Sequence, residues 1–494
     1  MPRRMLAVGV GLAALLVACG NRADPTLIED ARRAELAAEA GPSAPRATNA
    51  PHDAAGPGST NDPAVARPQV SATGPAADPG DPAANPTTGP QGPSSGSDQG
   101  VDTRFAPPGG NGGATDVGVT ETEIVIGNVA DITGAVAGLF ADVQKAAQAH
   151  ELYFDRTEGT IYGREINLAL HDTQLTRNGN FNAYTELCNN ALMAVASMSA
   201  FDEGVEEPVR SCGIPDLRTV ATNPAITTLP TMYSGDAVAR YQQPVSEYLY
   251  WAETYPDSVT DSAWLFIDNN TTREQTGQVI RAIETIGWSF VNTYPADLAA
   301  ISYKTEIRDM KDRGVRTVLF TGAYQQAAKL AREMVEEAFT PDLYVLQANL
   351  YDPRLVDEGA ANLEAFPTHV AAIGTLVEEI DLSPELQLYR EWLHLIDPDA
   401  EPTGLGMYAW SAMRLTIKLL KDIGPNVTRE AMLDALSGVQ GWTSNGLVPP
   451  QDVGARKPAD CTIILGVTGG AFQRIFPAER GTYTCRDTII DATP

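Results

Sequence analysis

The stretch Gly118-Val-Thr-Glu-Thr-Glu-Ile-Val-Ile-Gly-Asn-Val-Ala-Asp-Ile-Thr-Gly134 passes from polar residues into the apolar run Glu123-Ile-Val-Ile-Gly127, then into a loop closed by Thr133-Gly134. The run is strand-like, and a helical stretch follows from Gly138 to about Thr157. Working outward, Ile166, Leu168 and Leu170 alternate in a second strand, and Ala191–Ala196 and Thr219–Ala221 are further candidates. A second series comprises Ala263–Asp268, Phe290–Thr293, Thr317–Thr321 and Tyr344–Gln347, with helical stretches between them. This β-α-β-α rhythm predicts an α/β protein with parallel sheets covered on both faces by helices. The folded part runs from about Val117 to the end, about 380 residues, enough for two such units joined by a hinge.

The part before it has a different character. Arg3 and Arg4 precede an apolar run from Met5 to Val17, a basic segment and a short hydrophobic one, as in a secretory signal peptide spanning residues 1–18. At about 1.5 Å per residue that run is too short to cross a hydrocarbon core of about 30 Å comfortably. Leu16-Val-Ala-Cys19 resembles a bacterial lipobox, which implies that Cys19 is lipidated and anchors the mature chain to the cell membrane. From Gly20 to about Asp116 the residues are mostly Pro, Ala, Gly, Ser, Thr, Asn and Asp, with no periodic apolar face, which predicts a disordered tether. Losing Arg3 and Arg4 takes the formal charge from −28 to −30, and so acidic a surface argues against nucleic acid as a partner. With Cys19 set aside, Cys188, Cys212, Cys461 and Cys485 remain, an even number that in an exported chain suggests two disulfides. The two sequence-local pairs have equal spacing, and each bridge would contribute about 3 kcal/mol in the chain-entropy picture, although four cysteines allow three pairings. No Cys-x-x-Cys spacing supports a metal site, and no cofactor is expected.

The 118–134 stretch resembles the opening of the mature domain in the leucine/isoleucine/valine-binding type of periplasmic binding protein. The likeness continues through Ile161-Tyr-Gly-Arg-Glu-Ile-Asn-Leu, Ala194-Val-Ala-Ser-Met-Ser-Ala-Phe, Gly213-Ile-Pro, Thr219-Val-Ala-Thr-Asn-Pro-Ala and Met407-Tyr-Ala-Trp-Ser-Ala-Met. The resemblance implies two Rossmann-like lobes joined by three strand crossings, one built from 118–237 and 372–459 and the other from 238–371 and 460–494. It also implies a ligand cleft at the carboxyl ends of the strands, closure about the hinge, and delivery of a small polar solute to an ABC permease. A ligand-sensing or envelope-scaffolding module of the same fold is the alternative.

By the same resemblance, the loops at Ser199, Ala200 and Phe201 and at Ala221 and Thr222 form the carboxylate side of the cleft, where hydroxyls and backbone N–H groups suit an anion. Ser199 and Thr222 could equally be helix caps. Asp131 and Thr133 sit in the first strand-to-helix loop at the same mouth. On the second lobe, Asn269, Tyr324 and Asn349 each follow a candidate strand and are expected to meet the other end of the ligand. Family members that bind amino acids often carry an acidic residue near the last of these positions, where this chain has Asn349 and Tyr351 with Asp352 beyond. Catalysis finds no support: His52, His150, His171, His369 and His394 form no His-Glu-x-x-His pair, the folded part from about Val117 has no Gly-x-Ser-x-Gly elbow, and no phosphate-binding Gly-x-x-x-x-Gly-Lys occurs.

Overall fold

The computed structural model describes residues 102–494 apart from Thr222, Pro224, Ala225, 237–240 and Ile373. The signal segment, Cys19 and the tether up to residue 101 lie outside the described residues. The first sheet contains β1 (Glu123–Ala130), β2 (Glu165–Asp172), β3 (Met193–Val195), β4 (Asp216–Val220) and β5 (Met232–Asp236). They pair in the order β2-β1-β3-β4-β5, every pairing parallel. Between them run α1 (Ala141–Thr157), α2 (Arg177–Asn190) and α3 (Glu206–Cys212). From Ile126 to Ala130 every residue of β1 is buried, without alternation, because helices cover both faces. Parallel pairing also sends the carboxyl ends of the strands to one edge, where the loops after β1, β2 and β3 meet.

The chain then crosses to a second sheet through β6 (Gln242–Pro244) and α4 (Ser246–Thr254). There β7 (Ser262–Ile267), β8 (Phe290–Ala296), β9 (Thr317–Thr321), β10 (Leu343–Leu346) and β11 (Thr368–Ala372) pair in parallel, in the order β8-β7-β9-β10-β11. The helices α5 (Asn270–Glu284), α6 (Lys304–Asp312), α7 (Tyr324–Glu336) and α8 (Pro353–Leu363) connect them. Trp251, Trp264 and Trp288 fill the core with Leu319, Val345 and Ile464. After β11 the chain returns to the first lobe as α9 (Pro384–Ile396), α10 (Gly404–Ile423) and α11 (Arg429–Ser437). These lock onto α1: Thr403 pairs with Asp142, Lys145 with Asp397, and the His150 ring meets Trp410 edge-on at 4.7 Å.

A third crossing brings in β12 (Cys461–Thr468), which pairs antiparallel with β11, and β13 (Ala471–Phe476), which pairs antiparallel with β12. The sheet is therefore not wholly parallel, as the β-α-β-α rhythm predicted. A direct hairpin replaces a crossover helix here, turning at Gly469 and Gly470 with φ of 64° and 75°, a conformation glycine adopts without strain. Strand β14 (Thr484–Cys485) pairs with β12, and β15 (Ile489–Asp491) pairs with the hinge strand β6. Both sequence-local cysteine pairs are bonded, Cys188 to Cys212 and Cys461 to Cys485, with Cα separations of 5.8 and 4.0 Å.

Residues 102–116, expected to belong to the tether, are instead docked on the first lobe. Asn111 is buried and donates to the carbonyls of Glu121 and Tyr162, and the Thr115 hydroxyl donates to Val427 O. The organising group is Arg164, 1 % exposed, whose guanidinium donates to the carbonyls of Asn111, Gly113, Thr120 and Pro425. Composition hid this segment because it is held by backbone carbonyls on a buried cation, which need no apolar face of its own. Arg164→Met should cost about 3 kcal/mol in urea unfolding, since it orphans buried carbonyls, and should expose residues 102–116 to limited proteolysis while the remainder resists.

Candidate functional site

A cavity of about 270 Å³ lies where the carboxyl edges of the two parallel sheets face each other, floored by the crossing segments. Val136, Leu139, Phe140 and Met198 wall it on the first lobe and Ile267 and Leu298 on the second, while Gln242, Gln243, Gln275, Gln326 and Gln347 supply amides. Among the described residues that line it there is no Lys, Arg or His. No group of three His, Cys, Asp or Glu side chains suited to a metal ion occurs among the described residues, nor any helix long and apolar enough to cross a membrane.

Of the first-lobe residues singled out from sequence, Ser199, Ala200 and Ala221 line this cavity; Thr222 lies outside the described residues. Asp131 does not line it. Its carboxylate is fully buried and accepts from the Thr173 hydroxyl, from Ser199 Oγ at 2.9 Å and from Ala200 N at 2.7 Å. Burial pushes the Asp131 carboxyl up, and these donors pull it back. The Ser199 hydroxyl is thus committed to Asp131 and also caps Phe201 N at 3.1 Å. Phe201 itself does not line the cavity; its carbonyl accepts from Asn180. Thr133 is exposed and bonds the Asp172 carboxylate, which also takes the N–H groups of Ile132 and Gln174. Asp172, next to His171, is therefore a latch between two loops.

Deeper in the lobe, Arg218 on β4 is buried between Asp202 and Asp216, and donates to Tyr184 Oη at 2.6 Å, while that hydroxyl donates to Asp216 at 2.7 Å. Asp202 follows directly on the Ser199–Phe201 loop, so the buried cation holds that loop against the sheet.

On the second lobe, Asn269 and Asn349 line the cavity. Asn269 caps α5, its Oδ1 accepting from Thr272 N at 2.9 Å in a reciprocal capping box. Asn349 Nδ2 donates to Gly322 O at 3.0 Å, which leaves its Oδ1 for a ligand. Tyr324 turns away and lies beneath the Arg354 guanidinium, 4.7 Å from ring centroid to carbon, while Arg354 is itself paired with the α8 cap Asp352. Tyr351 is buried, with its hydroxyl on Glu378.

Sequence reasoning missed two acidic residues that line the cavity, Asp236 at the end of β5 and Glu247 in the first turn of α4. Burial alone pushes the Asp236 carboxyl up to about 7. Burial, helped by the negative charges of Asp460 and Asp236, pushes Glu247 up to about 8. The only sequence sign was an acidic residue immediately before the aromatic run Tyr248-Leu-Tyr-Trp251, which reads equally well as an ordinary helix start.

Two open α/β sheets, three crossings and a cavity at the facing strand ends define a two-lobed α/β fold with a cleft between its lobes. The sequence of residues 123–468 matches the periplasmic binding protein family, and the chain belongs to that family. Its fold is similar to that of the leucine-binding protein LivK of Thermotoga maritima, at 14% identity over 74% of this chain and 99% of that one, with a TM-score of 0.61. The branched-chain amino acid binding protein LivJ of Streptococcus pneumoniae, solved with isoleucine, aligns at 15% identity over 71% and 98% with a TM-score of 0.59. A fatty acid ABC transporter substrate-binding protein of Thermomonospora curvata aligns at 17% identity over 76% and 94%, TM-score 0.62. No curated protein matches by sequence.

The raised carboxyls have a consequence for the empty protein. Between about pH 4 and 8 the folded chain keeps protons on Asp236 and Glu247 that the unfolded chain has released, so stability falls as pH rises through this window. The double variant D236N/E247Q should melt several degrees above the wild type at pH 8, and at the same temperature near pH 4, in scanning calorimetry of unliganded protein.

Proposed function

We propose that the protein is the solute-binding component of an ABC-type importer. It captures a small polar solute, a branched-chain amino acid, an amide or a related compound, between its lobes and presents it to a permease without chemical turnover. The observation that carries this reading is the cavity itself, enclosed by the carboxyl edges of two sheets that the chain crosses between three times. Such a geometry lets two rigid lobes close on a ligand with strain confined to a few connecting residues. The lining mixes aliphatic walls with amide groups, which suits a solute having an apolar body and polar ends. Family membership and the leucine-type relatives support the same reading. Export and a lipid on Cys19, as the lipobox-like Leu16-Val-Ala-Cys19 implies, would hold it beside its permease outside the cytoplasmic membrane.

A solute that binds only the folded chain raises stability by about 2.7 kcal/mol at a hundredfold excess over Kd, visible in a thermal-shift screen of amino acids, amides, urea, polyamines and organic acids. The ligand found should also lower the radius of gyration in small-angle scattering as the lobes close. Asn349→Ala should weaken it about tenfold, the worth of one hydrogen bond. A flat response across the whole screen from folded protein would count against solute capture.

A further inference from the structure

Resting on that solute-binding reading, we propose that the captured solute is an organic amine with no compensating carboxylate, its ammonium group seated at the hinge between Asp236 and Glu247. Both side chains line the cavity, and neither has a hydrogen-bond or ion-pair partner among the described side chains. Among the described residues, the donor to the Glu247 carboxyl is its own backbone N–H. The nearby third carboxylate, Asp460, does not line the cavity and accepts from Val245 N, Ser246 N and Thr488 N at 3.0, 2.8 and 2.7 Å, so it contributes negative potential there. Among the described residues, the Tyr408 hydroxyl also acts on Asp236, and it stays neutral because burial pushes it up.

An anionic head group entering this space would meet two carboxyls and, among the described lining residues, no cation. An ammonium group carries three donors and meets acceptors instead. Tyr248 and Trp251, on the same helix as Glu247, also line the cavity, and aromatic faces attract a desolvated cation further. Gln278 adds an acceptor, since its buried Oε1 has no partner. Asn349 on the second-lobe loops carries no charge, and the two acids that line the cavity lie instead at the end of β5 and the start of α4.

The test is isothermal titration calorimetry of the full chain at pH 7 with 3-methylbutylamine, 1,4-diaminobutane and choline. Isoamyl alcohol, leucine and 4-methylpentanoate serve as uncharged, zwitterionic and anionic counterparts. At least one amine should bind ten times more tightly than each counterpart, and its binding should release protons, read as a heat that depends on the buffer's ionisation enthalpy. D236N and E247Q, confirmed folded by circular dichroism, should each weaken that amine at least tenfold. Tighter binding of leucine or 4-methylpentanoate, or amine binding that neither variant alters, would overturn the inference while leaving solute capture intact. A folded chain that binds nothing on this panel or on the wider screen would remove the solute-binding reading and the inference together.

Discussion

One buried carboxylate, Asp131, ties together three strand ends of the first sheet. Its own strand is β1; the Thr173 hydroxyl reaches it from the end of β2, and Ser199 Oγ with Ala200 N reach it from beyond β3. Hydrogen bonds to a buried ionised group are stronger than neutral ones, and removing the acceptor would orphan three donors at once. The cavity's first-lobe rim inherits its position from this node, because Ser199 and Ala200 are both anchored to it and both line the cavity. Arg218 fixes the far end of the same loop through Asp202. A pair buried this deeply gains little net stability after desolvation, but losing one partner leaves an uncompensated charge. The rim is thus held by groups that tolerate very little substitution.

Much of the fold was legible because parallel strands carry a strong local pattern. Glu123–Ala130, Ser262–Ile267 and Thr317–Thr321 are apolar runs bounded by polar loops, and their alternation with helical stretches leaves few other architectures. What escaped was of three kinds. Met232–Asp236 and Gln242–Pro244 are polar or short, and are held as strands by their neighbours rather than by their own composition. The antiparallel β12–β13 hairpin depends on the direction in which the chain re-enters the second lobe, which no window of sequence encodes. Residues 102–116 are ordered by a cation far along the chain.

The site divides along the same line. Ser199, Ala200, Ala221, Asn269 and Asn349 could be located because a loop after a parallel strand must emerge at the common edge. Where a side chain turns from such a loop is decided by its neighbours. Asp131 and Thr133 turn toward adjacent loops, and Tyr324 turns beneath Arg354. Asp236 and Glu247 were invisible for a further reason: Asp236 ends β5, a strand its own composition does not announce, and Glu247 opens α4 in the crossing, where no strand-to-helix pattern marks a position as facing the cavity.

The crossing itself is lightly built. Its strand β6 has three residues, paired only with β15 in a two-stranded ribbon, with Ala492 N on Tyr241 O at 2.7 Å and Arg281 donating to Ala492 O at 2.9 Å. Isolated ribbons of this kind are marginal in water, whereas the sheets on either side are closed by helices. Unzipping β15 is therefore a sub-global event, available while both lobes stay native, and it would slacken the segment carrying Gln242 and Gln243. Residues 242–244 at the floor of the cavity and 489–491 are then expected to behave as one cooperative unit, whose amide protons should exchange together and ahead of either core.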